Sequence, residues 1–156
     1  MGTALAGNTA LQFIELQNNA IENIDKEFEG TNNLVNFNLS NNKIQFIEDV
    51  FFVNKVKLAT LNLEMNNLSS LSPNISELKN LKSLILSFNN LSTLPIEITQ
   101  LSNLELLILS NNQLSQLPQN LKGLKALKTL ILKGNSFLNT EIERIKKALP
   151  NCDVII

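Results

Sequence analysis

The sequence predicts an α/β solenoid: a curved coil of six stacked units with a parallel β-sheet along one side, closed at its C-terminal end by a helix and a strand. Three observations carry this. The pattern Leu-x-x-Leu-x-Leu-x-x-Asn-x-Leu, with Ile or Phe at some apolar positions, occurs six times, opening at Leu11, Leu34, Leu58, Leu81, Leu104 and Leu127. The steps between copies are 23, 24, 23, 23 and 23 residues. Within each copy, apolar residues alternate with others at the period of a strand. A fixed period of this size means equivalent units, each burying its apolar side only against its neighbours.

Residues 1–10 are expected to be a lead-in or a degenerate half-unit, since Leu5 precedes Leu11 by the same interval as Leu121 precedes Leu127. Residues 11–138 carry the six units. In the fifth, Leu107 and Leu109 alternate with Leu106, Ile108 and Ser110, which predicts a strand from about Leu106 to Ser110 with the two leucines inward. Leu117, Leu121 and Leu124 return along the far side of the core. Pro118, without an N–H, suits a turn rather than a continuing strand. The return side is wider than the strand side, so the stack curves with its strands on the concave face.

Two units depart from the pattern. The second return segment, Glu48 to Lys57, is longer and bulkier, which predicts a helical turn with Phe51 or Phe52 inward. The first has Thr31 where leucine is usual and is expected to be less well packed. Residues 139–156 read as a cap: Thr140 as N-cap of a helix from about Glu141 to Leu149, with Ile142, Ile145, Ala148 and Leu149 on one face, then Cys152, Val154 and Ile156 alternating as a last strand.

The six-fold pattern resembles the leucine-rich repeat family, over roughly residues 11–156. The return segments of the Leu-Pro-x-x-Ile-x-x-Leu-x-x-Leu kind resemble short bacterial and intracellular members, and the Leu149-Pro150-Asn151-Cys152 phrase resembles their C-terminal caps. The resemblance implies a right-handed coil whose convex side carries short turns, 3-10 or helical segments. It also implies that Asn19, Asn42, Asn66, Asn89, Asn112 and Asn135 form a ladder in which side-chain amides bond backbone groups at each turn. Finally, it implies a concave face used to bind proteins.

Composition narrows the chemistry. The chain has 156 residues and a net charge of −1, which gives no reason to expect nucleic acid, and no aromatic interleaving of the kind that reads single strands. Histidine is absent, which removes Ser–His and Cys–His pairs and the usual zinc sets. No Gly-rich phosphate loop occurs. Glu15 and Glu64 are too far apart, at two strand steps, for a convincing glycosidase pair. The single cysteine, Cys152, makes no internal disulfide and slightly favours a reducing, cytoplasmic setting. A secreted or surface location needs only a signal peptide that has been removed. No run of about 18 apolar residues exists to span a membrane. No enzyme activity, cofactor or metal is expected.

Binding is then the expected function, and the concave positions are its candidate site. Between the second and third Leu stand Glu15, Asn38, Asn62, Ile85, Ile108 and Ile131: three polar residues, then three isoleucines. Leu106 lies in the column on one side, and Glu64, Ser87, Ser110 and Lys133 in the column on the other, with Phe88 and Met65 beyond. The isoleucine stripe is not needed by a core that has its own leucines, and Ile108→Asp is expected to leave stability nearly unchanged. The candidate site is therefore Asn38, Asn62, Glu64, Ile85, Ser87, Phe88, Leu106, Ile108, Ser110, Ile131 and Lys133, taking a protein or peptide partner. Alternatives are a recognition domain of a larger signalling protein, or a secreted or surface bacterial factor that binds a host or matrix protein. Residues 1–50 carry seven acids against two lysines, and residues 121–156 seven bases against three acids. This asymmetry is compatible with weak head-to-tail association of an otherwise monomeric chain.

Overall fold

Each copy of the leucine pattern turns the chain once around a common axis and contributes one three-residue strand. In the computed structural model, which describes residues 5–156, these strands are β1 (Phe13–Glu15), β3 (Asn36–Asn38), β5 (Thr60–Asn62), β6 (Ser83–Ile85), β7 (Leu106–Ile108) and β8 (Thr129–Ile131). The cap adds β9 (Asp153–Ile155). All pair in parallel, in the order β1-β3-β5-β6-β7-β8-β9, with no slip of register at any junction. The strands are shorter than the five residues read from the fifth repeat. The chain leaves the extended conformation soon after, at a residue with positive φ. A second, two-stranded ladder joins β2 (Asn23–Ile24) to β4 (Phe46–Ile47) on the return path of the first two turns.

The middle residue of each strand points inward. Ile14, Phe37, Leu61, Leu84, Leu107 and Leu130 are buried, as are Leu39, Leu63, Leu86, Leu109 and Leu132 two positions later. From the far side come Leu117, Leu121 and Leu124 and their equivalents, so the core is one continuous stack. The return segments form 3-10 turns at Lys26–Phe28, Pro73–Glu77 and Ile96–Gln100, and a short helix, α1 (Asp49–Phe52), in the enlarged second unit. Both Phe51 and Phe52 are fully buried there. They join Phe28 and Phe37 in a chain of tilted rings with centroids 4.9, 5.7 and 5.3 Å apart.

In the first unit Leu11 and Leu16 are only partly buried, whereas Thr31 is well enclosed. It is fully buried, and its hydroxyl donates to the Phe28 carbonyl at 2.8 Å. At the same position the next unit has Lys55, whose Nζ is buried, has no hydrogen-bond partner and lies 5.5 Å from the Phe51 ring centre.

The asparagine ladder is present. Asn89 Nδ2 donates to the carbonyls of Leu86 (3.1 Å) and Leu63 (2.9 Å), and its Oδ1 accepts from Leu68 N at 3.0 Å. Asn42, Asn66, Asn112 and Asn135 repeat the arrangement, each tying its own turn to the one before. Among the described residues, Asn19 bonds only carbonyls of its own turn, Leu16 and Gln17.

At the C-terminal end, α2 runs Asn139–Ala148 and its N-cap is Leu138, with no side-chain cap bond. Thr140 therefore lies within the first turn and does not cap it. The helix is fixed instead by Glu141 and Arg144. Arg144 bonds both Glu141 oxygens at 2.7 Å and donates to the carbonyls of Gln119 and Leu117, while Glu141 Oε1 accepts from Leu117 N at 2.9 Å. Ile145 and Leu149 are buried beneath it, Ile142 and Ala148 half-buried. Cys152 and Val154 pack against the core as expected, whereas Ile156 is exposed.

The first four residues of the expected lead-in lie outside the described residues. Residues 5–10 lie against the first return segment. Gly7 N donates to Glu29 O at 2.8 Å, and Asn33 Nδ2 to Thr9 O at 2.7 Å. The latter bond has the 24-residue reach of Asn80 to Val56 and of Asn103 to Lys79 in the regular units.

Candidate functional site

Because every strand is in register, the outward residues form straight columns across the sheet. Glu15, Asn38, Asn62, Ile85, Ile108 and Ile131 are aligned partners on successive strands, and Ile155 continues the column on β9. The stripe thus has four isoleucines. Ile155, at 39% exposed, extends it to the sheet edge. The cap strand was legible in the sequence, and counting 24 residues on from Ile131 reaches Ile155. Phe13, Asn36, Thr60, Ser83, Leu106 and Thr129 form the neighbouring column, with Phe13 65% exposed.

Ile85, Ile108, Ile131 and Leu106 face outward as expected, but each is only partly exposed. Parallel neighbours about 4.8 Å away cover part of each side chain. An aspartate at Ile108 would therefore meet aliphatic surface on both sides, and its cost is no longer negligible.

The polar half of the face is largely bonded to itself. Asn38 Nδ2 donates to Glu15 Oε2 at 2.8 Å, and Asn38 Oδ1 accepts from Ser40 N. Asn62 Oδ1 accepts from Glu64 N at 3.0 Å. Ser87 is a correction: it is buried, and its hydroxyl donates to Glu64 Oε1 at 3.0 Å, so it positions a carboxylate and offers nothing to a partner directly. Ser110 is half-buried and Lys133 exposed. Of the basic residues near the C-terminal end, Lys128 is paired with Glu105 of the preceding unit, which holds the Glu105 carboxyl below its ordinary value.

The column beyond has a backbone feature that the sequence reading missed. Asn18, Asn41, Met65, Phe88 and Asn111 all have φ between 54° and 59°, and Gly134 has φ 75°. This left-handed turn after each strand suits Gly and Asn and is disfavoured for bulky side chains. Met65 and Phe88 nevertheless occupy it, at 51% and 48% exposed. The signal was the composition of the column itself: three asparagines and a glycine mark a left-handed position, where two large apolar residues are out of place.

Elsewhere the chemistry is muted. Burial, and then Asp153, raise the Cys152 thiol above its ordinary range, which disfavours the thiolate. Among the described residues no group of three His, Cys, Asp or Glu could hold a metal ion, and no helix is long and apolar enough to cross a membrane.

Comparison with known proteins decides the family. A leucine rich repeat model matches residues 32–91 and again 79–137. The chain belongs to the leucine-rich repeat family. Among solved structures, a leucine-rich repeat protein of Leptospira interrogans is similar at a TM-score of 0.64 and 26% identity. The match covers 95% of this chain and 49% of that protein, so the chain spans about half its length. No curated protein matches. That counterpart is bacterial, in line with the affinity read from the return segments and the cap phrase. Repeats of this family are, as a class, protein-interaction scaffolds, and the solenoid described above has that form.

Proposed function

We propose that this leucine-rich repeat chain binds a protein or peptide partner on the concave face, with the isoleucine stripe as its anchor and without chemistry of its own. The observation that carries the reading is the unbroken row Ile85, Ile108, Ile131 and Ile155, set on a rigid sheet whose core is already filled by a separate set of leucines. With Leu106, Met65 and Phe88 the row makes an apolar area of the size at which surface patches begin to mark contact sites. A specific partner would bury roughly 800 Å² per side and would reach from the stripe toward Asn38, Asn62 and Glu64. On this reading the chain acts as a monomer and takes no nucleic acid.

The test is capture. Wild type and an Ile85→Asp/Ile108→Asp variant are immobilised, and what each retains from lysate and medium of the source cells is compared by mass spectrometry. The milder Ile85→Ser/Ile108→Ser variant serves if the half-buried aspartates lower the melt. A protein retained by wild type and lost from a variant with a matching melt supports the site. Equal retention would move the search to the basic C-terminal end.

A second reading, a recognition module within a longer signalling or surface protein, is favoured by the share of the Leptospira counterpart that the chain matches. The concave face would serve it equally, and the sequence of the whole gene decides between them.

A further inference from the structure

Building on the concave-face reading, we propose that the partner is a bipolar polypeptide segment. A cationic side chain meets Glu64, apolar side chains cover Ile85, Ile108 and Phe88, and an acidic side chain meets Lys133. The row Glu64, Ser87, Ser110 and Lys133 runs along one border of the sheet, kept in line by the backbone bonds Met65 N to Ser87 O, Phe88 N to Ser110 O and Asn111 N to Lys133 O. Its two ends carry opposite charges, three strand spacings or about 14 Å apart. Between them lie two serines and, in the adjoining column, the isoleucines.

Among the described residues neither end has an ion-pair partner. Among the described residues the ion pairs are Lys128 with Glu105 and Arg144 with Glu141, and neither involves Glu64 or Lys133. Glu64 is held instead by a neutral donor, the buried Ser87 hydroxyl, which fixes its direction. The other charges of the face do not cancel this polarity. Along the opposite border Lys82, Glu105 and Lys128, each just before a strand, alternate in sign from unit to unit, with two of them paired. Glu15 lies beyond the acidic end, tied to the neutral Asn38, and adds to it. Asp153 starts β9, in the column of Thr129, not in the row of Lys133.

Position of the apolar contact follows from Met65 and Phe88. Four of the six equivalent turns hold Asn or Gly at the left-handed site, and these two hold large apolar side chains that remain half exposed. Their exposed halves leave apolar surface for a partner to cover. Met65 follows Glu64 directly and Phe88 follows Ser87, which bonds the Glu64 carboxylate, so the partner's apolar anchor lies next to its cationic group.

A library of random linear peptides displayed on phage is selected on the full chain, on Glu64→Gln, on Lys133→Gln and on Ile85→Ser/Ile108→Ser, each with a melt matching wild type. The expected consensus on wild type brackets apolar residues between a Lys or Arg and an Asp or Glu. Glu64→Gln should abolish only the basic preference, and Lys133→Gln only the acidic one. A synthetic consensus peptide should bind each neutral variant about three- to fivefold more weakly, the amount a solvent-accessible ion pair supplies, and more weakly still as salt rises. A consensus that is apolar only, lost on the Ile85→Ser/Ile108→Ser variant and indifferent to Glu64 and Lys133, would overturn the bipolar partner and leave the concave site standing. Peptides bound equally by all four proteins would overturn both, and a library that yields no consensus overturns a peptide segment as the occupant.

Discussion

Several side chains of this solenoid stand at positions that its own pattern assigns to something else, and each is a testable cost. Met65 and Phe88 hold left-handed backbone that Asn adopts more readily. Met65→Asn and Phe88→Asn are expected to raise stability by up to about 1 kcal/mol each, measured by denaturant unfolding. A loss above that size would show that their half-buried surface packs for stability instead. Lys55 occupies the position held by Leu78, Leu101 and Leu124 in later units. Burial depresses its pKa below 10.5, and Glu29 offsets this only in part. For a base with a depressed folded pKa, the unfolded chain binds the extra proton between the two values, so stability rises with pH across that window. Lys55→Leu should be more stable at neutral pH by about 1–3 kcal/mol, the usual cost of one unsatisfied buried polar group. Wild type should close the gap as pH climbs toward 10.5. A gap independent of pH would mean the ammonium is solvated in the folded state.

At the scale of elements, the cap helix shows how a terminus is attached without a capping residue. Glu141 and Arg144, on one face of α2, bond backbone groups of 117–119 on the preceding return segment. The Arg144 bond, followed by that from Leu117 N and against a desolvation penalty, holds the Glu141 carboxyl below its ordinary 4.5. A depressed carboxyl contributes stability that is complete above 4.5 and is lost as pH falls through the folded pKa. Arg144→Ala should cost about 1.5–3 kcal/mol at neutral pH and flatten this acid limb. Arg144→Lys should recover only part, because an ammonium lacks the planar fork. An acid limb unchanged in Arg144→Ala would show that Glu141 does not report this clamp. Gly123 has a comparable role in the fifth return segment: a Cβ there would lie 1.9 Å from the Thr99 carbonyl oxygen, so the close approach of the two segments requires glycine.

For the molecule as a whole, the 23-residue step made the turn count, the strand columns and the asparagine ladder legible, because each is a consequence of register. What escaped depended on contacts between turns. Ser87 reads as an outward strand residue, and only the position of Glu64 on the neighbouring turn explains why it is buried. Thr140 has the chemistry of an N-cap, yet α2 begins earlier, at Asn139, where Glu141 and Arg144 can reach 117–119. The β2–β4 ladder lies in segments with no alternation long enough to read. Ile155 required extending the column count past the sixth repeat into the cap.

The ladder bonds have a mechanical consequence. Those joining turn to turn reach back 21 to 27 residues, so none skips a turn. Tension applied to the two ends is therefore carried by junctions in series, and the weakest yields alone. Each turn that lets go frees 23 or 24 residues of slack, about 80 Å when drawn straight, while the turns behind it stay wound. Held between two attachments, such a coil would lengthen in even steps under load, as a spring that pays out one winding at a time.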